Sequence, residues 1–436
     1  MMKPQKGAKI TECQLAIIGC GLSGMAAALF AAEQGISTVQ IGVSGGMIFA
    51  SGLMDLMGVH PVETGNKWRD PWAAIDALGR DIPDHPYARL KKTVLRESME
   101  KVVAFLGDEG LPYLKDHENN SEMITSLGTS KYTYYVPQTM WEGVKALRER
   151  VPCLILGFDG LNDFSASQIA GTLGDQWPGL RWHNLQFSNN GNGAGLVSGD
   201  IMARDMEVSG NLDRLVSEVR PHLKDAEGVG IPAILGMERS HEIVGELSRE
   251  WGTRVFEIPT MPVSVPGLRI NEAFTRGLSA KGVKLFFPNR IIKWEQDENG
   301  EFLLGTGRNR PDKWIRAKGV ILATGRFWAR GLRADRDKIR ETLFDLPVSQ
   351  PGKRKEWHRR EFLDLKGHPA NRAGLEVDDL FRPVAKGGKP AFDNLFACGS
   401  ILAHQDWMRM KCGSGLAMGT ALAAVDAFSS FALKEG

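Results

Sequence analysis

Apolar positions along this chain follow two periods, and the order in which those periods alternate predicts its architecture. Leu15 to Ile18 is a short continuous apolar run that reads as a buried strand. Met25 to Glu33 is an alanine-rich helical stretch stopped by Gly35, and Ser37 to Ile41 reads as a second strand. From about 61 to 150 the pattern turns irregular and rich in Trp and Pro, with helices expected at Asp70 to Leu78, Leu95 to Leu106 and Trp141 to Arg148. Between 151 and 258 a new rhythm sets strands at Cys153 to Phe158, Arg181 to Phe187 and Pro232 to Leu235 between helices at Phe164 to Leu173, Leu212 to Leu223 and His241 to Trp251. The last part returns to the opening manner. Helix Glu272 to Ala280 leads to strand Val283 to Phe287, a hairpin over Ile291 to Leu304 turns at Glu298-Asn299-Gly300, and Gly319 to Ala323 is a buried strand. Asn394 to Cys398 repeats that strand design, and a Gly/Ala-rich helix follows from Gly413.

The chemistry sits in the turns. Gly19-Cys20-Gly21-Leu22-Ser23-Gly24 joins the first strand to the first helix. In such a turn Gly19 permits the sharp reversal, Gly21 leaves room for a phosphate against backbone, and Gly24 lets helix and strand approach closely. The phosphate then rests on the free N–H groups of the helix start, including those of Leu22 and Ser23. The pattern implies an α/β class, a Rossmann-like FAD/NAD(P)-binding flavoprotein fold with an inserted α/β domain for a substrate or partner. The boundaries expected are 12–60 for the first part of the flavin domain, 61–258 for the insertion and 259–436 for the return. Gly45, Gly46, Ser51 and Gly52 can bring backbone and a hydroxyl against a planar ring. Thr324 and Gly325, Gly399 and Ser400, and Gly413, Ser414 and Gly415 supply further small-residue turns. Each of these glycines alone can equally serve helix packing or loop freedom.

One position changes the expected nucleotide. The second strand normally ends in a carboxylate that accepts hydrogen bonds from the adenosine ribose, and here it ends in Gly42, with Gln40 expected on the other face. FMN, which lacks the adenosine half, is therefore the expected cofactor, with FAD as the alternative.

Length and charge add bounds. A chain of 436 residues with a formal charge of +2 can bury a large core in two domains, and no charged block argues for nucleic acid. The run Arg326, Arg330, Arg333, Arg336, Lys338 reads as a solvated face or an anion-facing surface. Five scattered cysteines form no CxxC ladder, so a metal or cluster held by this chain is not expected, and a reduced cytoplasmic setting is. The first eleven residues lack an apolar signal core. Ser414 to Leu433 reads as a buried helix, which leaves membrane contact peripheral or through a partner.

The segments Ser51-Gly52-Leu53-Met54-Asp55-Leu56, Pro259 to Arg269 and Asn394 to Ser400 give the chain a resemblance that covers nearly everything after residue 12. It is similar to the B-subunit family of anaerobic glycerol-3-phosphate dehydrogenases, relatives of the fumarate reductase and succinate dehydrogenase flavoproteins. The resemblance implies FMN, a second flavin-bearing catalytic subunit and an iron–sulfur, membrane-facing subunit. It also implies oxidation of sn-glycerol 3-phosphate to glycerone phosphate with electrons passed toward quinone. Gly399-Ser400 stands where FAD-binding relatives commonly have Gly-Asp. The stretch Ala403 to Cys412 is bulkier and more charged than the family's glycine-rich turn, which leaves a paralogue with another substrate open.

For a small anionic substrate, the expected groups are His404 as base and Arg269 and Arg409 as phosphate clamps, with Arg409 and Lys411 together able to clamp substrate or to stabilise reduced, anionic flavin. Alternatives stand beside these: a surface role for His404, and a pairing of Arg269 with a carboxylate such as Glu272 to fix the domain joint. Further readings are a flavin that only relays electrons, a flavin enzyme acting alone, and an assembly protein without chemistry.

Overall fold

The computed structural model describes residues 10–43, 45–186, 196–307 and 309–435. Its first sheet is built from strands β1 (Ile10–Ile18) and β2 (Thr38–Ile41) at the start of the chain and from distant strands that return to them. The inserted sheet uses β3 (Cys153–Phe158), β4 (Leu180–Leu185), β5 (Gly228–Pro232) and β6 (Arg254–Ile258). The return supplies β7 (Lys284–Phe286), β8 (Arg290–Gln296), β9 (Phe302–Gly307), β10 (Lys313–Leu322) and β11 (Leu395–Ala397).

The first sheet runs β7-β2-β1-β10-β9-β8, with β11 beside β10. Strands β7, β2, β1, β10 and β11 are parallel, whereas β8 and β9 form an antiparallel hairpin turned at Gly300. Parallel strands bring their carboxyl ends to one edge, so the turns after Ile18, Ile41, Leu322 and Ala397 share it. Strand β2 has Val39, Gln40 and Ile41 all inaccessible, as in a parallel strand covered on both faces.

Helices cover this sheet. Helix α1 (Leu22–Glu33) and the long α5 (Gly413–Glu435) pack together, and α2 (Lys92–Asp108) packs on α5. Helix α5 is long and apolar enough to cross a membrane by length and composition, but most of its apolar window lies inside the protein. Trp72, Leu78, Tyr87, Leu95 and Phe105 belong to this same core. Residues 61 to about 110 therefore pack with the first sheet, and the insertion's own core starts later than residue 61.

The inserted sheet is parallel, in order β6-β5-β3-β4, with its own apolar core. The strand expected at Pro232 to Leu235 lies earlier, at β5. Gly230 belongs there because an added Cβ would fall 2.8 Å from Ile155 Cδ1 and 2.9 Å from Phe256 Cε2. Strand β6 was not legible from its own pattern and forms the outer edge. The end expected for β4 at Phe187 lies outside the described residues. Helix α3 (Gln138–Glu149) packs on β5 and β6 of the inserted sheet, and α4 (Val265–Ala280) leads the chain from β6 back to β7. The Ser264 hydroxyl caps α4 by accepting from Gly267 N–H at 3.2 Å.

Candidate cofactor site

The glycines of the first turn behave as their spacing requires. Gly19 has φ of +132°, and a Cβ there would fall 2.1 Å from the Ala323 carbonyl oxygen; one at Gly24 would fall 2.2 Å from Gly19 O. These two positions are closed by backbone. Gly21 is different, because a Cβ there meets nothing within 4 Å, and Gly21 begins α1 with no side-chain cap. An uncapped helix start facing open space is the arrangement that receives a diphosphate.

Neighbouring turns converge on it. A Cβ at Gly45 would lie 2.0 Å from Cys20 O, so the segment after β2 rests directly on the first turn, while Gly46 is exposed. That segment is pinned from the far side by Ser264 N–H, which donates to Ile48 O at 2.9 Å, and by the Ser264 hydroxyl, which donates to Ala50 O. A Cβ at Gly399 would fall 2.3 Å from Ser23 Oγ, and one at Gly325 would lie 3.6 Å from Ser400 Oγ. The ends of β1, β10 and β11 thus meet around Ser23, Thr324 and Ser400. Thr324 Oγ1 and Gln40 Oε1 are buried there without a hydrogen-bond partner, polar atoms that a bound polar ligand or water would satisfy. Trp328 stands edge-on to Phe49 at 5.4 Å and links the loop after Gly325 to the segment after Gly45.

Other expected contacts have internal work. Gln40 does not point away: its Nε2 donates to Gly19 O at 2.9 Å, because a residue two places before Gly42 shares its face. Gly52, at φ +86°, lies against Pro266 and offers its carbonyl to Tyr113 Oη at 2.8 Å, and neighbouring Ser51 is half-buried. Gly413 packs under Trp407. Gly415 packs under the Tyr87 hydroxyl and donates its N–H to Asp55 O at 2.8 Å, so this N–H is not offered to a ligand, and Ser414 lies half-buried between them. The Gly399 N–H likewise goes to Thr420 Oγ1 at 2.8 Å.

The expected substrate groups are also engaged. Arg269 is buried and forms a two-pronged pair with Glu257, at 2.7 and 2.8 Å, while its Nε donates to Gly236 O at 2.8 Å. The partner is Glu257 on β6 and not Glu272, which pairs with Arg204. The cavity beside Arg269, about 20 Å³ and lined by Leu111, Tyr113, Pro137 and Ile270, has room for roughly one water. Arg409 Nη1 lies 3.5 Å from Asp406 Oδ2, and Nη2 donates to Asp364 O at 3.4 Å. His404, with φ of +64°, directs Nε2 to Glu376 Oε1 at 3.2 Å.

Two groups were missed by sequence reasoning, Arg326 as a brace and Lys131. Arg326, counted as part of a solvated basic run, is buried and donates to the carbonyls of Ser400, Leu402 and Gln405 at 2.7 to 3.1 Å. It braces the turn after Gly399, and burial pushes its guanidinium down to about 10. Its position directly after Thr324-Gly325 was the available signal. Lys131 pairs with Asp55 at 2.8 Å next to the start of α5, and nothing in its irregular surroundings marked it. Lys411, expected beside Arg409 as a clamp or a stabiliser of reduced flavin, lies near this pair: burial, then repulsion from Lys131, lowers its ammonium pKa, while Asp55 acts in the opposite direction. Cys20 is buried, donates its thiol to Val43 O, and is pushed up to about 11 by burial, so it is a neutral packing group.

Comparisons with known proteins give the chain's family. A family model described as an FAD binding domain matches residues 14–416. The anaerobic glycerol-3-phosphate dehydrogenase B subunit of Vibrio vulnificus (strain CMCP6) is 31% identical over 425 residues, covering 94% of this chain and 95% of the relative. The corresponding B subunit of Pectobacterium atrosepticum is 28% identical over 428 residues, covering 96% and 98%. Among solved structures, an open flavocytochrome c3 fumarate reductase aligns with a TM-score of 0.42 at 11% identity, covering 98% of this chain and 80% of that one. The family match names FAD and overturns the expectation of FMN. Gly42 has a packing cause instead: a Cβ there would fall 2.5 Å from Cys20 Sγ, so its missing carboxylate reflects the bulk of Cys20 and does not report loss of the adenosine half. With an FAD-domain match across most of its length and a near full-length relative at 31% identity, the chain belongs to the FAD-binding flavoprotein family that includes the B subunits of anaerobic glycerol-3-phosphate dehydrogenases.

Proposed function

We propose that this chain is an FAD-carrying electron-relay component of a multi-subunit dehydrogenase and is not itself the place where sn-glycerol 3-phosphate is oxidised. The observation that carries this reading is the commitment of its arginines. Arg269 is held by Glu257 and Gly236, Arg326 by three carbonyls, and Arg409 by Asp406 and Asp364. A phosphate clamp needs guanidinium donors free to turn toward the substrate. The naming of relatives as the B subunit of an anaerobic glycerol-3-phosphate dehydrogenase supports a partnered role.

FAD, when bound, accepts electrons as a hydride or singly and returns them one at a time. The helix start at Gly21 to Gly24 would hold its diphosphate, and Ser23, Thr324 and Ser400 line the same edge with hydroxyls. Lys411, beside the Lys131–Asp55 ion pair, places positive charge near the start of α5, which favours electron uptake by a neighbouring group. A partner with its own redox centre would supply the electrons, and an iron–sulfur partner would receive them.

The test is anaerobic mixing of the isolated FAD-loaded chain with sn-glycerol 3-phosphate. The flavin stays oxidised with this substrate, is bleached by dithionite, and is reoxidised by a one-electron acceptor such as ferricyanide. Bleaching by sn-glycerol 3-phosphate alone within seconds overturns the relay reading.

A further inference from the structure

Residues 353–366 carry an apolar tip inside a basic collar. Phe362, Leu363 and Leu365 are 86%, 80% and 84% exposed, three large side chains within four positions that no part of the described chain covers. The same segment carries Lys353, Arg354, Lys355, Arg359, Arg360 and Lys366, all exposed, against the acids Glu356, Glu361 and Asp364, six positive charges to three negative.

This loop is built. Trp357 anchors its base in the core under the Arg354 guanidinium, 4.3 Å from the ring centroid. His368 staples the neck: its Nδ1 accepts from Arg359 N–H at 3.1 Å, which leaves Nε2–H to donate to Phe362 O at 3.0 Å. Arg359 Nε donates to Gly367 O at 2.9 Å, and Asp364 Oδ1 accepts from Lys366 N–H at 2.9 Å. Among the described residues, neither Lys355 nor Lys366 has a carboxylate within ion-pair distance of its ammonium group, and Arg360 meets only the exposed Glu361, at 3.9 Å. The short helix Trp407–Met410 is tied to the loop through Arg409 and Asp364 O, and it exposes Met408 as well.

We propose that this loop docks the chain directly on an anionic lipid bilayer. A projecting tip of Phe and Leu finds no complementary cavity to require there, since the boundary between headgroups and acyl chains accepts apolar side chains of any outline. The surrounding lysines and arginines meet lipid phosphates at the same depth. A protein partner would instead have to offer an acidic, apolar-floored pocket for three nearly fully exposed side chains.

The test is flotation of the purified, FAD-loaded full-length chain with vesicles of phosphatidylethanolamine and phosphatidylglycerol, and with phosphatidylcholine vesicles. The chain floats with the anionic vesicles at least about tenfold more than with the neutral ones, and high salt weakens this. The triple variant Phe362→Ser, Leu363→Ser, Leu365→Ser keeps every charge and loses at least about tenfold of the binding. The variant Lys355→Glu, Arg360→Glu, Lys366→Glu keeps the apolar tip and loses at least as much. Wild-type flavin content and unfolding midpoint in both variants establish that they are folded. The proposal is overturned if the wild-type chain ignores anionic vesicles, or if neither variant changes binding. It is also overturned if the serine variant keeps its vesicle binding but no longer co-purifies with a partner protein, which would make the tip a protein interface.

Discussion

Replacing Arg269 with Met fills a similar volume without charge and strands Glu257. Arg269 gives Glu257 two bonds of 2.7 and 2.8 Å; without them the carboxylate keeps only the Leu235 N–H at 3.0 Å, in a position with no solvent exposure. Removing one partner of a buried ion pair costs roughly 3–5 kcal/mol, so the expected destabilisation of Arg269→Met is about 4 kcal/mol. Adding Glu257→Gln removes the stranded charge and recovers most of the loss. Urea unfolding followed by tryptophan fluorescence reads this out, with Trp177 and Trp251 reporting from the inserted core. An Arg269→Met protein within about 1 kcal/mol of wild type, or a loss that Glu257→Gln does not recover, refutes the pairing as the reason for Arg269.

Other substitutions separate packing from binding. Gly21→Ala meets no atom of the fold, so stability without flavin is unchanged while FAD content falls at least about tenfold; Gly19→Ala collides with Ala323 O and destabilises the chain itself. Gly42→Ala lowers the unfolding midpoint by colliding with Cys20, and adding Cys20→Gly restores it, as measured by thermal scans of the two proteins. Burial first, then the charges of His60, His404 and Arg372, push the His85 imidazole down to about 3. An unfolded histidine titrates near 6.5, so between about 6.5 and 3 the unfolded chain binds a proton that the folded one refuses, and stability is lost as pH falls, at about 1.4 kcal/mol per unit. His85→Asn keeps an acceptor for Tyr87 N–H and flattens that part of the stability profile between pH 7 and 5.

Elements with strong local signals were legible in the sequence. The βαβ opening, the helix beginning at Asp70 with its side chain capping Trp72 and Ala73, and the hairpin at Gly300 follow from periodicity, caps and turn residues. Strand β5 was displaced because its Gly228 and Gly230 weaken the strand pattern locally, and only the packing of Phe256 and Ile155 explains them; β6, Arg254–Ile258, was missed without any such glycine. The glycine turns were legible because close backbone approach leaves no choice of residue. Charged groups were not, since nothing local distinguishes an arginine that meets a substrate from one that meets Glu257 or three carbonyls. Gly42 misled for a related reason: an absent side chain reads as lost function until its neighbour Cys20 is in view.

The most direct measurement is acid release of the flavin from the freshly purified chain, with mass identification and an occupancy count. One FAD per chain is the result this account predicts. A chain that carries FMN, or that remains without flavin when incubated with excess FAD, contradicts the assignment of the converging turns at Gly21, Thr324 and Ser400 as an FAD site.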